Sequence, residues 1–230
     1  SLSAAADTDV TVKVGTTLGT AEAADIGSMT ATYVDSTGAT QTLTIDSDGN
    51  ITIPAGVTDV TVSVATVDDA EYEGDETFSV SVEGVEGATG TGTGTATITD
   101  DGSNGGTDDR PTVSITNAGE VAEGDAATFT VSLSAAADTD VTVKVGTTLG
   151  TAEAADIGSM TATYVDSTGA TQTLTIDSDG NITIPAGVTD VTVSVATVDD
   201  AEYEGDETFS VSVEGVEGAT GTGTGTATIT

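Results

Sequence analysis

The chain has 230 residues, of which 39 are Asp or Glu and only three are Lys or Arg, so its formal net charge is −36. Phosphate binding needs Lys and Arg, which argues against nucleic acid and against anionic membrane surfaces as partners. Cys and His are both absent. That removes disulfides, thiolate metal ligands, the commonest general base and the commonest transition-metal ligand. Carboxylate and carbonyl oxygens remain, and these suit hard cations such as calcium or magnesium.

Ser1 to Thr99 recurs letter for letter as Ser132 to Thr230. A fold tolerates many substitutions, so such identity points to recent duplication and to a chain that uses copies of one unit. The register starts and stops within a repeat, as expected for a stretch of a longer tandem array.

Along the first copy the apolar residues alternate with polar ones. Val10, Val12 and Val14 open the series, followed by Leu43 and Ile45, Ile51 and Ile53, then Val60, Val62 and Val64. Phe78, Val80 and Val82 come next, then Ala96 and Ile98. Val113 and Ile115, then Phe129, Val131 and Leu133, continue the pattern. Period-two runs rich in Val, Ile and Thr, parted by Gly, Asp, Ser and Asn, predict half-buried strands. No amphipathic helix is evident. The expected fold is all-β: tandem antiparallel β-sandwich domains of immunoglobulin-like type. Residues 30–54 read as added hairpin material with turns at Ser36-Thr37-Gly38 and at Asp46 to Asn50. The predicted division is 1–99 as a repeat lacking its N-terminal strands, 100–111 as an Asp/Gly-rich linker, and 112–230 as a second repeat. Pro111 fixes the entry to the next strand.

The acidic residues cluster in loops. Asp68, Asp69, Glu71, Glu73, Asp75 and Glu76 precede the strand of Phe78 and recur as Asp199, Asp200, Glu202, Glu204, Asp206 and Glu207. Asp100 and Asp101 follow a strand, and Glu120, Glu123 and Asp125 precede another. Two carboxylates about 4 Å apart repel by roughly 4 kcal/mol at an effective dielectric near 20. A fold that draws these loops together needs cations; one that keeps them apart leaves a solvated acidic face. Both arrangements are open to this spacing.

The runs VAEGDAATFTVSLS, VTVKVGTTLGTAEAADI and VDDAEYEGDETFSVSVEGV with GTATITDDG resemble the Calx-β domain, in order and over nearly the whole repeat. The resemblance implies a sandwich that binds calcium through loops at one end. It implies side-chain ligands Asp25, Asp68, Asp69, Glu73, Glu76, Asp100 and Asp101 in the first copy, with the carbonyl of Glu71. In the second copy it implies Glu123, Asp156, Asp199, Asp200, Glu204 and Glu207, with the carbonyl of Glu202. Asp108 and Asp109 are further candidates for a cation in the linker. Ala70 and Gly102 stand where the family often has a third Asp, which implies fewer ions.

Identical, acidic, Cys-free repeats of this kind also resemble the extender region of large repeats-in-toxin bacterial adhesins. That implies an extracellular, cell-surface structural module that is not an enzyme. Its partners would be neighbouring repeats of the same chain, with no nucleic acid and no membrane insertion. The alternative reading is a binding module that uses the Thr ladder from Thr89 to Thr99 or the loop tips. Scarce aromatics disfavour it, because specific recognition favours Tyr, Trp and Arg anchors. Asp46 to Asn50 lacks the later bidentate Glu of an EF-hand and reads as a plain turn.

Overall fold

Alternating Val and Thr build strands, because β-branched side chains suit a pleated surface with one buried face. In this computed structural model, which describes residues 1–199, 201 and 205–230, every regular element among the described residues is a strand. Among the described residues no helix is long and apolar enough to cross a membrane. The chain divides into two compact units, one of Ser1–Asp69 with Asp75–Thr99, the other of Ala70–Gly74 with Asp100–Thr230.

The first unit holds β1 (Val10–Leu18), β2 (Ile26–Val34), β3 (Thr40–Leu43), β4 (Asn50–Ile53), β5 (Thr61–Thr66), β6 (Glu76–Glu86) and β7 (Thr91–Ile98). They form two sheets, ordered β4-β1-β6-β7 and β3-β2-β5. Val10, Val12 and Val14 of β1 pack with Ala31, Ile51 and Ile53, and the register sets Val12 opposite Ile51.

The second unit holds β8 (Val113–Ile115), β9 (Gly119–Val121), β10 (Ala126–Leu133), β11 (Val141–Leu149) and β12 (Ile157–Val165). It continues through β13 (Thr171–Leu174), β14 (Asn181–Ile184), β15 (Asp190–Thr197), β16 (Glu207–Glu217) and β17 (Thr222–Ile229). Its sheets run β13-β12-β15-β10-β8 and β14-β11-β16-β17-β9. Phe129 and Phe209 are fully buried and meet edge to face at 6.1 Å between ring centroids, a geometry the ring quadrupoles favour.

The expected all-β tandem sandwich is therefore borne out, with two refinements. First, β3 and β4 do not form a hairpin: β3 pairs with β2, β4 pairs with β1, and the turn at Asp46 to Asn50 carries the chain between sheets. The Asp46 carboxylate accepts the N–H groups of Asp48 and Asn50, and backbone bonds between Asp46, Gly49 and Asn50 help to close that turn. Ile51 and Ile53 are then free to bury against β1. Second, the sheets are not wholly antiparallel, since β9 runs parallel to β17.

The two copies have one sequence but different burial. Strand β10 pairs with β15 and sets Phe129 opposite Val193. In the first unit, among the described residues, β5 pairs with β2 alone. Val211 and Val213 are buried at 0% and 1%, whereas their twins Val80 and Val82 are half-buried and 39% exposed. A groove of about 260 Å³ lies there, lined in part by Val12, Ile51, Val62, Val80 and Val82.

Candidate metal centre

Asp25 ends the loop that enters β2, and Asp156 ends the same loop before β12. Both are buried, at 5% and 6% exposure. Burying a carboxylate is costly unless it is hydrogen-bonded or paired. Each accepts one backbone N–H, from Glu22 and from Glu153 respectively. The Asp25 carbonyl also takes the Val67 N–H at 2.8 Å, and the Asp156 carbonyl takes that of Val198 at 2.9 Å. These bonds tie the Asp loop to the start of the Val-Asp-Asp run in each copy.

Glu76 opens β6, and in the first unit a carboxylate oxygen of Glu76 lies within 4.8 Å of one of Asp25. At an effective dielectric near 20, two such charges repel by about 3 kcal/mol. Asp68 and Asp69 follow β5 on exposed positions of the same unit.

The remaining positions fall in the second unit. Glu71 is exposed and Glu73 half-buried, and the Glu73 N–H donates to Asp100 Oδ2 at 2.8 Å. Asp101 bridges to Asp108 and accepts the Ser103 N–H at 2.9 Å. Asp108 forms an ion pair with Arg110 at 2.8 Å, and the same contact raises the Arg110 pKa and lowers that of Asp108. One oxygen of Asp109, Oδ2, is buried without a hydrogen-bond partner.

Glu123 sits in the turn after β9, where its N–H donates to the Thr230 carbonyl at 3.4 Å. The next residue, Gly124 (φ +81°), leaves 3.1 Å between an ideal Cβ and Cβ of Asp199. Glu123 and Asp199 are therefore loop neighbours. Glu207 opens β16 as Glu76 opens β6. Asp200, Glu202 and Glu204 lie outside the described residues.

Thr197 has a role that the sequence reading did not find. Its buried hydroxyl faces the carbonyls of Asp125 at 2.7 Å and Ala122 at 3.2 Å, and it pins the Glu123 turn beside Asp199. Its signal was position, directly before the Val-Asp-Asp run. Its twin Thr66 is exposed.

The donor chemistry fits a hard cation. The Asp25–Glu76 pair offers oxygen ligands only, and Asp109 Oδ2 is an orphaned buried acceptor. Cys and His do not occur in the chain, and oxygen-only sets select calcium or magnesium.

The family model described as the Calx-beta domain matches residues 2–102 and again 107–230. The crystal structure of the apo-form Calx CBD1 domain shares 18% identity over 51% of this chain and 96% of its own, with a TM-score of 0.36. The calcium binding domain CBD12 of CALX1.1 shares 18% identity over 90% of this chain and 68% of its own, with a TM-score of 0.31. The collagen binding subdomain of the Enterococcus faecalis surface protein ACE shares 10% identity over 52% and 95%, with a TM-score of 0.27. No curated protein matches. With two tandem matches that together span nearly its whole length, the chain belongs to the Calx-beta domain family.

Proposed function

We propose that this chain is a calcium-stabilised structural extender, a link in a bacterial surface adhesin that holds a distal binding domain away from the cell. The observation that carries this reading is the letter-for-letter repetition of a domain whose acids gather in loops, with Asp25 and Glu76 oxygens within 4.8 Å. Repetition serves length or avidity. A sensor with distinct sites has no use for identical ones.

The carboxylates act as a folding switch. Where calcium is scarce they repel one another. Where it is millimolar, sites of about 10⁻⁴–10⁻³ M affinity fill. At a hundredfold excess over Kd, each independent site adds about 2.7 kcal/mol. Asp25, Glu76, Asp68 and Asp69 would hold the ion in the first unit. Asp156, Asp199, Glu207 and Glu123 would do so in the second, and Asp109 is a candidate ligand in the linker. The cell-surface location, the calcium and the extender role together form one hypothesis.

Thermal melting and small-angle scattering of multi-repeat chains, in calcium and in chelator, test it. The expected result is a higher melting temperature in calcium and a maximum dimension that grows linearly with repeat number. Identical melting and shape in both buffers would leave the acids as a solvated face and end the proposal.

A further inference from the structure

The two copies provide an internal comparison at one surface. Ala70–Gly74 belongs by sequence to the first copy but packs as part of the second unit. There Tyr72 forms a parallel bridge with Ala137, and its carbonyl accepts the Asp138 N–H at 2.9 Å. Its side chain packs on the second unit's core. A Cβ on Gly218 (φ +66°) would stand 2.9 Å from Tyr72 Cε1 and 3.0 Å from Val141 Cγ1. A glycine here thus satisfies both the left-handed backbone and the close approach of the ring. Beneath the segment, Ala137 and Ala219 are 2% and 4% exposed, and Gly218 is buried.

The same socket exists in the first copy as Ala6, Gly87 and Ala88, with Gly87 keeping φ +72°. There Ala6 and Ala88 are only half-buried and Gly87 is exposed. A Cβ on Gly87 would meet nothing nearer than Val10 at 3.4 Å. Since the local sequences are identical, the difference lies in what covers them.

We propose that Tyr72 is a plug that one copy lends to the next. The uncovered Ala6–Gly87–Ala88 surface of the first copy is then a docking site for the Ala-Glu-Tyr-Glu-Gly segment of another copy of this repeat. The occupant is identified by the second unit, where that segment already sits on the same residues. The short loop reaches its partner at the high local concentration that tethering provides. The plug concerns how copies join, and it would stand if calcium binding failed.

The test compares the full chain with Tyr72→Ala and Tyr72→Phe, in calcium, by NMR-detected hydrogen exchange on segmentally labelled protein. Tyr72→Ala is expected to speed exchange at Asp138 several-fold, and Tyr72→Phe to leave it near wild type. A dodecapeptide with the sequence of residues 67–78 is then added. It should shift the Gly87 and Ala88 amides of the wild-type chain, and those of Gly218 and Ala219 only once Tyr72 is Ala. Unchanged exchange at Asp138 in Tyr72→Ala would remove the plug. Absence of peptide shifts at Gly87 and Ala88, or equal shifts from a peptide with Ala in place of Tyr, would remove the docking site.

Discussion

An ideal Cβ on Gly225 would stand 2.9 Å from Phe129 Cδ1 and would also collide with the Thr116 carbonyl. Its twin Gly94, in identical local sequence, would meet nothing within 4 Å. Neither glycine has a positive φ, so space alone separates them. Gly225→Ala should destabilise the second unit by about 1–3 kcal/mol, the usual cost of overpacking. Gly94→Ala should raise the stability of the first by about 0.5 kcal/mol, the gain from replacing Gly within a strand. Urea denaturation of the two variants reads both numbers. Equal effects would mean that Phe129 does not seat against Gly225.

Much of this architecture was legible in the sequence, because period two at Val10, Val12 and Val14 leaves few alternatives to a half-buried strand. What was not legible depended on distant partners. The parallel pairing of Gly119 to Val121 with β17 has no local signature, since the segment reads as part of an acidic loop. Likewise, two turns around an apolar stretch look like a hairpin, yet Ile51 pairs with Val12 because both faces of the sandwich need covering. The acidic loops could be seen as clusters. The burial of Asp25 depends on which loops fold over it, and neither spacing nor charge reveals that. The role of Thr197 depends on the Ala122 and Asp125 carbonyls that it faces, more than seventy residues away.

The turns predict an acid limit to stability. Asp35 is held down to about 2 from 3.8, chiefly by the Thr37 hydroxyl, then the Gln41 amide and the Ala39 N–H. Asp166 is lowered in the same way by Thr168 and Gln172. A folded-state pKa below the unfolded one contributes stability that is fully present above the unfolded value. It is lost as pH falls through the folded value. Asp35→Asn should therefore flatten the fall in urea midpoint between pH 3.8 and about 2, and Asp35→Asn with Asp166→Asn should flatten it further. An acid limb as steep as wild type would show that these turns do not couple protonation to folding.

Removing one carboxylate should change the sign of its effect with the buffer. Asp25 and Glu76 oxygens lie within 4.8 Å. In chelator, Asp25→Asn relieves their repulsion while the amide oxygen still accepts the Glu22 N–H. The variant should then be as stable as wild type or more so. In calcium at a hundredfold excess over Kd, it should lose about 2.7 kcal/mol of ion-dependent stabilisation if Asp25 is a required ligand. Glu76→Gln should behave alike. Melts in the two buffers decide the matter, and an undiminished calcium shift in both variants would exclude this pair as ligands.

The groove of the first unit should accept the strands that fill its twin. In the second unit, β10 lies beside β15 with Phe129 opposite Val193, and β8 pairs with the other edge of β10. In the first unit the matching positions leave Val82 39% exposed and a groove of about 260 Å³. An open sheet edge and an apolar trough together invite strand addition, in which backbone hydrogen bonds give affinity and alternate side chains give register. A peptide with the sequence of residues 111–133 should therefore raise the melting temperature of the first unit. At ten times its Kd the gain is about 1.4 kcal/mol. The same peptide with Ala at the Phe129 position should give much less, because that ring is the largest side chain these strands bury. Calorimetric titration of both peptides measures the difference. Equal binding would mean that strand pairing alone drives the addition, and no binding would mean that the groove closes on itself in solution.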